Sequence, residues 1–421
     1  MEKIKKIIKQ IGLLWKNNPK VVENYFFMTF SQGAIVLINL LLYPYLIRTL
    51  GKEAYGTYIF IFSNINLFIL FIAAGLSTPA LKKIAINTDS LTVKSQTVSE
   101  VFTAKLFLFC IYAVLLAVCI LFIPFVRANI TLYLIVFVLS SSDMLFPLWY
   151  FQGMQKMGFV TCVNLGIRIL IVPLVFIFIK SSANLLEYTL IVSVLPFLGG
   201  VFTFFYLITK EHLRIRLVSF KSLKPVFRDS LPFFWTTAFG RIKDESIKFF
   251  VGILFGMNNV AVYDLANKII TLVSMFTGSI NTAIFPVAVK KLGSERIKQI
   301  FRYETIIGLS ATAAIVAFGY WAVLLLGGKA MLNAYPLTVI LSITIYTNLI
   351  VGCYFNLVFV PQERYYFITR NQIVSLITFV AFSGTGLLLF QSIDVIVIAL
   401  SLSAICEVLY CKFLTTKHKL L

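Results

Sequence analysis

Residues 241–248 read Arg-Ile-Lys-Asp-Glu-Ser-Ile-Lys, five ionisable side chains in eight positions, between apolar runs at 231–239 and 249–255. On an insertion scale a charge at mid-span costs ~2.5–3.5 kcal/mol, so five cost on the order of 12–17 kcal/mol. The dozen or so Leu, Ile, Val and Phe residues of the same stretch return only ~4–7 kcal/mol. Lipid alone does not hold such a helix; protein or water must receive its charges. At helical spacing Arg241, Asp244, Glu245 and Lys248 fall at i, i+3, i+4 and i+7 on one face. Arg241 can then pair with Asp244 or Glu245, and either acid with Lys248. Lys243 points elsewhere and needs a partner on another helix.

Other polar residues share this setting. Asp264 and Lys268 are four apart on the next apolar segment, Arg168 precedes Pro173 with no acid nearby, and Asp143 interrupts another apolar run. Asn39, Asn64 and Asn66 are the uncharged members. Two chemistries fit these types. Paired charges can lock helices together, and charges without a local partner can line a watery cavity that takes an anion or a coupling cation. Arg168 and Lys243 are the stronger cavity candidates. Five cations (Arg168, Arg241, Lys243, Lys248, Lys268) against four anions (Asp143, Asp244, Glu245, Asp264) tilt the set slightly towards an anionic cargo. Covalent catalysis has no support. The six cysteines are scattered without CxxC spacing, and the two histidines, His212 and His418, belong to no nucleophile or zinc pattern. The residues therefore imply neither an enzyme nor a cofactor, and leave open whether H+ or Na+ drives the protein.

The elements that must position these charges are membrane spans. Hydrophobic residues make up 59% of the chain and charged residues 13%, with a mean hydropathy of +0.92, far above soluble domains. Runs of about 20 apolar residues predict spans near 24–47, 57–80, 101–124, 130–151, 159–180, 186–209, 231–257, 260–288, 303–326, 332–358, 366–390 and 392–411. The fold class is an all-α integral membrane protein of about twelve transmembrane helices. The net charge of +20 does not point to nucleic acid, because it is one-sided. The segments on the side of the N-terminus hold 26 Lys and Arg residues, and the opposite loops only five: Arg48, Lys52, Arg127, Lys180 and Lys329. This is the positive-inside pattern, and it puts both termini in the cytoplasm, with anionic lipid headgroups as secondary partners. The basic N-terminus, 1–23, carries apolar residues at helical spacing through 1–18 and reads as an amphipathic surface helix. Tyr43, Tyr45, Trp149, Tyr150, Tyr365 and Tyr366, near span ends, read as interfacial belts.

The longest basic loop, 210–230, divides an N-terminal six-helix bundle (1–209) from a C-terminal one (231–421). The halves resemble each other. Leu50-Gly51 with Tyr55 to Tyr58 matches Phe255-Gly256 with Val260 to Tyr263 at an offset of 205 residues, and Pro79 with Lys82-Lys83 matches Pro286 with Lys290-Lys291 near 207. Six spans per half make such repeats parallel.

Three further segments are Tyr43-Pro44-Tyr45-Leu46-Ile47-Arg48-Thr49-Leu50-Gly51 with Tyr55-Gly56, Trp149-Tyr150-Phe151-Gln152-Gly153-Met154-Gln155-Lys156-Met157 with Arg168 and Pro173, and Val262-Tyr263-Asp264-Leu265-Ala266-Asn267-Lys268-Ile269 leading to Phe285-Pro286. They resemble the bacterial polysaccharide transporters of the MOP superfamily, the Wzx-type or O-antigen flippases. The charged block at 241–248 resembles only a subset of such transporters. The resemblance implies a MATE-like, V-shaped pair of six-helix bundles around a central cavity, in the bacterial inner membrane. It implies a cargo of undecaprenyl-diphosphate-linked oligosaccharide, moved to the outer leaflet by alternating access for surface polysaccharide synthesis. It also implies Arg48, Arg168 and the charges of spans seven and eight as diphosphate contacts. A polysaccharide polymerase and a chain-length regulator are the implied candidate protein partners.

A cation-coupled multidrug exporter of the same fold is the alternative, but it favours acidic cavity residues, whereas the interior charges without local partners here are basic. A membrane polysaccharide polymerase would carry a large external loop, and every external loop here is short. The charge asymmetry yields a direct test. Reporter fusions after Lys210 and after Lys329 are expected to lie on opposite sides of the membrane; reporters on one side would overturn the topology.

Overall fold

The computed structural model describes residues 19–288 and 293–421. The amphipathic stretch expected over 1–18 and the Lys290-Lys291 pair lie outside the described residues. Every long apolar run has become helix, the local solution that satisfies backbone polar groups without water. In order these are α1 (Pro19–Ala73), α2 (Ser77–Ile86), α3 (Leu91–Phe122), α4 (Pro124–Ala128), α5 (Ile130–Ser140), α6 (Ser142–Leu145), α7 (Leu148–Gly153), α8 (Met157–Phe178) and α9 (Leu185–Thr209). There follow α10 (Phe220–Phe255), α11 (Met257–Ala288), α12 (Ser294–Gly327), α13 (Ala334–Leu341), α14 (Ile343–Cys353), a π-helical turn at Tyr354–Phe359, α15 (Tyr365–Leu389) and α16 (Ile393–Lys417).

Among the described residues ten helices are long and apolar enough to cross a membrane. The twelve expected spans are recovered from these ten for two reasons. Gly51, at φ 78° and ψ 170°, breaks α1 into two span-length pieces; that conformation is essentially open to glycine alone. The other uncounted span is α10, long enough but too heavily charged. Span two ends earlier than expected, because Ala74 and Gly75 turn left-handed (φ 41° and 67°) and place Pro79 in α2 instead.

The offset between the halves recurs in the backbone. Gly256, 205 residues after Gly51, is also left-handed (φ 81°) and separates α10 from α11. Gln155 and Glu363, 208 residues apart, share positive φ (55° and 58°). In each case the next N–H donates five residues back at 2.8 Å, Lys156 to Phe151 O and Arg364 to Phe359 O, the Schellman way of ending a helix. The fourth span of each half is broken at a serine. The Ser141 hydroxyl donates to Val138 O at 2.6 Å and Ser342 to Val339 O at 2.7 Å, and such side-chain bonds compete with the helical ladder.

Contacts group the described chain into two compact units. The first takes residues 19–42, 68–180 and 184–234, and the second takes 43–67, 181–183 and 235–421. In the first unit Trp149, Tyr150 and Phe151 pack with Ile84, Val98 and Leu207. Trp149 and Tyr150 are thus core residues, not the interfacial belt expected from their place near a span end, because the turn at Gln155 folds their helix back against α2 and α9. Glu211 ties this corner down, accepting from Tyr150 Oη at 3.0 Å and from Lys156 Nζ at 2.5 Å. The basic segment after it is no free tether. Alternate backbone N–H groups of Arg214, Arg216 and Val218 donate to the hydroxyls of Ser95, Ser99 and Thr103 at 3.1, 3.0 and 3.2 Å. Hydroxyls four apart on α3 rise about 6 Å per step, close to the two-residue repeat of an extended strand, so the two periodicities match.

Replacing Ser95, Ser99 and Thr103 together by Ala removes three bonds worth about 0.5–1.5 kcal/mol each. Amide exchange at 214, 216 and 218 is expected to accelerate at least about tenfold with α3 unchanged. Unchanged exchange would show that the ladder does not hold the segment.

Candidate functional site

In the second unit the charges of α10 divide by face. Lys243 is buried and reaches two other helices. Its Nζ donates to Glu407 Oε1 of α16 at 2.7 Å and to Ser375 Oγ of α15 at 2.5 Å, and Ser375 Oγ also donates to that carboxylate. The salt bridge leaves the two side chains 10% and 8% exposed. Lys243 was expected to line a cavity; it is instead a cross-helix strut, because Glu407, 164 residues away in sequence, comes to meet it. On the adjacent face Glu245 accepts from Lys248 at 3.0 Å and from Asn66 Nδ2 at 3.3 Å. The i, i+3 pairing of Glu245 with Lys248 is as the spacing predicts. Arg241 and Asp244 are exposed from the unit and, among the described residues, take part in no ion pair, so the pairing of Arg241 with Asp244 or Glu245 does not form.

The third cluster joins the first and third family segments. Gly56 lets α1 press on the start of α11, since a Cβ there would lie 1.9 Å from Met257 O. This contact brings Tyr55 to Asp264, with Tyr55 Oη donating to Asp264 Oδ2 at 2.9 Å. Lys268, one turn further along α11, bonds the same carboxylate at 2.8 Å and also donates to Tyr55 Oη. Its ammonium lies 4.1 Å from the Tyr43 ring centre and 5.1 Å from that of Tyr55, within cation–π range. Tyr43 is 5% exposed, so it too leaves the belt assigned to it by sequence. Asp264 is buried, but the Lys268 side chain is 39% exposed. An ammonium has three protons, and two are spent inside the cluster. What remains is a cation fixed in direction, open on one side.

Elsewhere the candidates behave differently. Arg48 donates to Leu325 O at 3.2 Å near the end of α12 and lines a cleft of about 380 Å³ with Lys52 and Lys329; it is apart from the Lys268 cluster. In the first unit Asp143 receives Lys105, 2% exposed, through its carboxylate at 2.6 Å and its carbonyl at 3.1 Å. That bond braces the broken fourth span and leaves the Asp143 side chain 45% exposed. Arg168 is half-buried on α8 and takes part in no ion pair among the described residues. Asn39 is exposed on α1, and Asn64 is half-buried beside the Asn66 turn. Sequence reasoning did not single out Lys105, Ser375 or Glu407, and it named Tyr55 in a family segment without a role at the site. Glu407 and Lys105 were detectable as lone charges in apolar runs, whereas their partners were not.

Breaking one side of a buried ion pair costs about 3–5 kcal/mol, while replacing both sides with apolar groups costs little. Lys243→Met should therefore lower thermal stability sharply, and adding Glu407→Met should restore most of it. A single variant as stable as the parent would show that the strut carries no load.

Comparison with known proteins agrees with this architecture. Residues 21–292 match the family described as "Polysaccharide biosynthesis protein". The chain is 24% identical over 316 residues to the Escherichia coli (strain K12) protein named "Putative O-antigen transporter", covering 75% of each. It is 22% identical over 307 residues to a Shigella dysenteriae protein of the same name, covering 70% of this chain and 75% of that one. Among solved structures, the lipid II flippase MurJ in an inward closed conformation superposes with a TM-score of 0.70 at 12% identity, over 94% of this chain and 87% of MurJ. An inward-facing multidrug resistance MATE family transporter of the MOP superfamily gives 0.63 at 17% identity, over 92% and 99%. These two likenesses are of fold. With the family matched over more than half its length and membrane-spanning helices along the rest, the chain is a multi-pass membrane protein of the polysaccharide biosynthesis protein family.

Proposed function

We propose that this protein is a flippase that carries undecaprenyl-diphosphate-linked oligosaccharide from the inner to the outer leaflet of the bacterial cytoplasmic membrane by alternating access. The observation that carries the reading is the fixed, half-exposed Lys268 ammonium inside a membrane-embedded cluster. Asp264, Tyr55 and Tyr43 hold it in place and leave one proton for an outside anion. A diphosphate is the costly part of such a cargo in hydrocarbon, whereas its polyprenyl tail is at home there. A lysine suits a diphosphate as a point charge, and Arg241 of the same unit, outside any ion pair among the described residues, can add planar, bidentate contacts. The names of the curated relatives and the MurJ-like fold support transport of a lipid-linked glycan. Cytoplasmic termini, and a polymerase and chain-length regulator as partners, belong to the same proposal. The coupling ion is not specified by the Lys268 cluster.

The experiment is complementation of a deletion strain that has no other flippase. Loss of the protein should strand lipid-linked oligosaccharide on the inner leaflet and abolish surface glycan. Full export from the deletion strain would overturn the function. At matched protein levels Lys268→Ala and Arg168→Ala should each weaken cargo binding by about 10- to 150-fold, the worth of a charge-assisted hydrogen bond. Arg168→Lys should recover part of this by keeping the charge without the fork. Wild-type export from Lys268→Ala would remove the cluster from the site.

A further inference from the structure

Among the described residues of the second unit, one buried carboxyl group takes part in no ion pair. Glu304 of α12 is 1% exposed, and neither of its oxygens has a hydrogen-bond partner among the described residues. It lies against the Asn281 side chain of α11 and the Cys353 thiol of α14. Asn281 is held in place by its amide, which donates to Leu349 O at 3.0 Å, while its Oδ1 has no partner. Gly352 leaves the room that this amide needs, since a Cβ there would be 2.9 Å from Asn281 Nδ2. On the same face of α12, Phe301 meets the Tyr354 ring at 4.6 Å, and Gly308 lies against Tyr346. The carboxyl is thus closed off on both sides along the helix.

Among the described residues the surroundings supply no counter-charge. From α14 and the π-helical turn after it the titratable groups on this face are Tyr346, Cys353 and Tyr354. From α11 the described neighbour is the neutral Asn281, and Lys268 lies more than three turns away along that helix. From α13, Tyr335 meets α12 at Val316, Gly319 and Tyr320, more than three turns from Glu304. On α12 itself Arg302 and Tyr303 are exposed, and Lys298 pairs with Glu295 at 3.9 Å. An ionised carboxylate buried without a cation is among the costliest groups a membrane protein can hold. A neutral acid asks only for one acceptor, and Asn281 Oδ1 is an unused one. Cys353 is also the last residue before the π-helical turn, and such turns concentrate at functional sites.

We propose that Glu304 is a proton-binding site of the second unit. It is held as the neutral acid while α11, α12 and α14 are packed, and it releases its proton to water when they part. Packing and proton occupancy are then linked, so that losing the proton loosens this junction and closing the junction recaptures it. The assignment goes beyond the cargo reading and does not depend on it.

The test needs no cargo. Infrared spectra of the full-length protein in nanodiscs at neutral pH should contain the carbonyl stretch of a neutral carboxylic acid that disappears in Glu304→Gln. In a background where Cys353 is the only cysteine, its alkylation by N-ethylmaleimide should become several-fold faster relative to Glu304→Gln as pH rises, because only the parent can ionise and open. Absence of the acid band, its persistence in Glu304→Gln, or the same pH profile for both proteins would overturn the proposal. If Glu304→Gln does not fold, Glu304→Asp retains the acid and must shift the band; an unshifted band would equally overturn it. Failure of glycan export in the complementation experiment would leave these outcomes unaffected.

Discussion

Hydrocarbon offers an ionised side chain neither water nor counter-ion, so each charge in a span must be answered by another part of the protein. The packing of the second unit follows from that demand on α10. Lys243 requires Glu407, which draws α16 and α15 to α10. Glu245 takes both Lys248 and Asn66, which binds α10 to the second piece of α1. Asp264 collects Tyr55 and Lys268, and this requires the close backbone approach that only a glycine at 56 permits. The first unit obeys the same rule once, where Lys105 finds Asp143 and braces a broken span.

Against this background the charges left over acquire meaning. Buried pairs such as Lys243 with Glu407 roughly balance their desolvation cost and stabilise by specifying which helices meet. Lys268 is different: its acid partner is buried while its own head is open, so it is oriented without being fully consumed. Among the described residues Arg168 and Arg241 are cations outside any ion pair, and Asp244 is the corresponding anion. In the proposed transport of a lipid-linked anion, cargo has to be held without being trapped, and half-satisfied groups of this kind would supply modest, reversible binding energy. Glu304 is the inverse case, a buried acid whose cheapest state is the one that carries a proton.

The duplication explains where the chain is permitted to be irregular. Left-handed glycines recur after the first span of each half, Schellman turns recur after the fourth, and serine breaks interrupt both fourth spans. Each half therefore bends at corresponding places, and the chemistry sits near those bends. The Gly51 break precedes Tyr55, the Ser141 break adjoins Asp143, and the π-helical turn adjoins Cys353. Among the described residues the first half alone has the Glu211 clamp, which fastens the chain between the halves to Tyr150 and Lys156, and the hydroxyl ladder, which fastens it to α3.

Composition and periodicity alone determined the class of this protein, because the physics behind them is local. A run of about 20 apolar residues in lipid has one backbone solution, so the span count and the segments of family resemblance were legible residue by residue. Gly51 and Gly256 could be paired from their offset, and Asp264 with Lys268 from their spacing on one helix. Partners far apart in the chain were not legible. Nothing in the residues around Lys243 names Glu407, and nothing near Asp143 names Lys105. Tyr43, Trp149 and Tyr150 lie near span ends, where aromatic side chains are at home in the interface, and only packing shows them buried. Which charge is a strut, which faces outward and which is left without a counter-ion depends on helices brought together from distant parts of the chain. That is a property of the assembled helices, because electrostatic and hydrogen-bond energies depend on distance in space and not on distance in sequence.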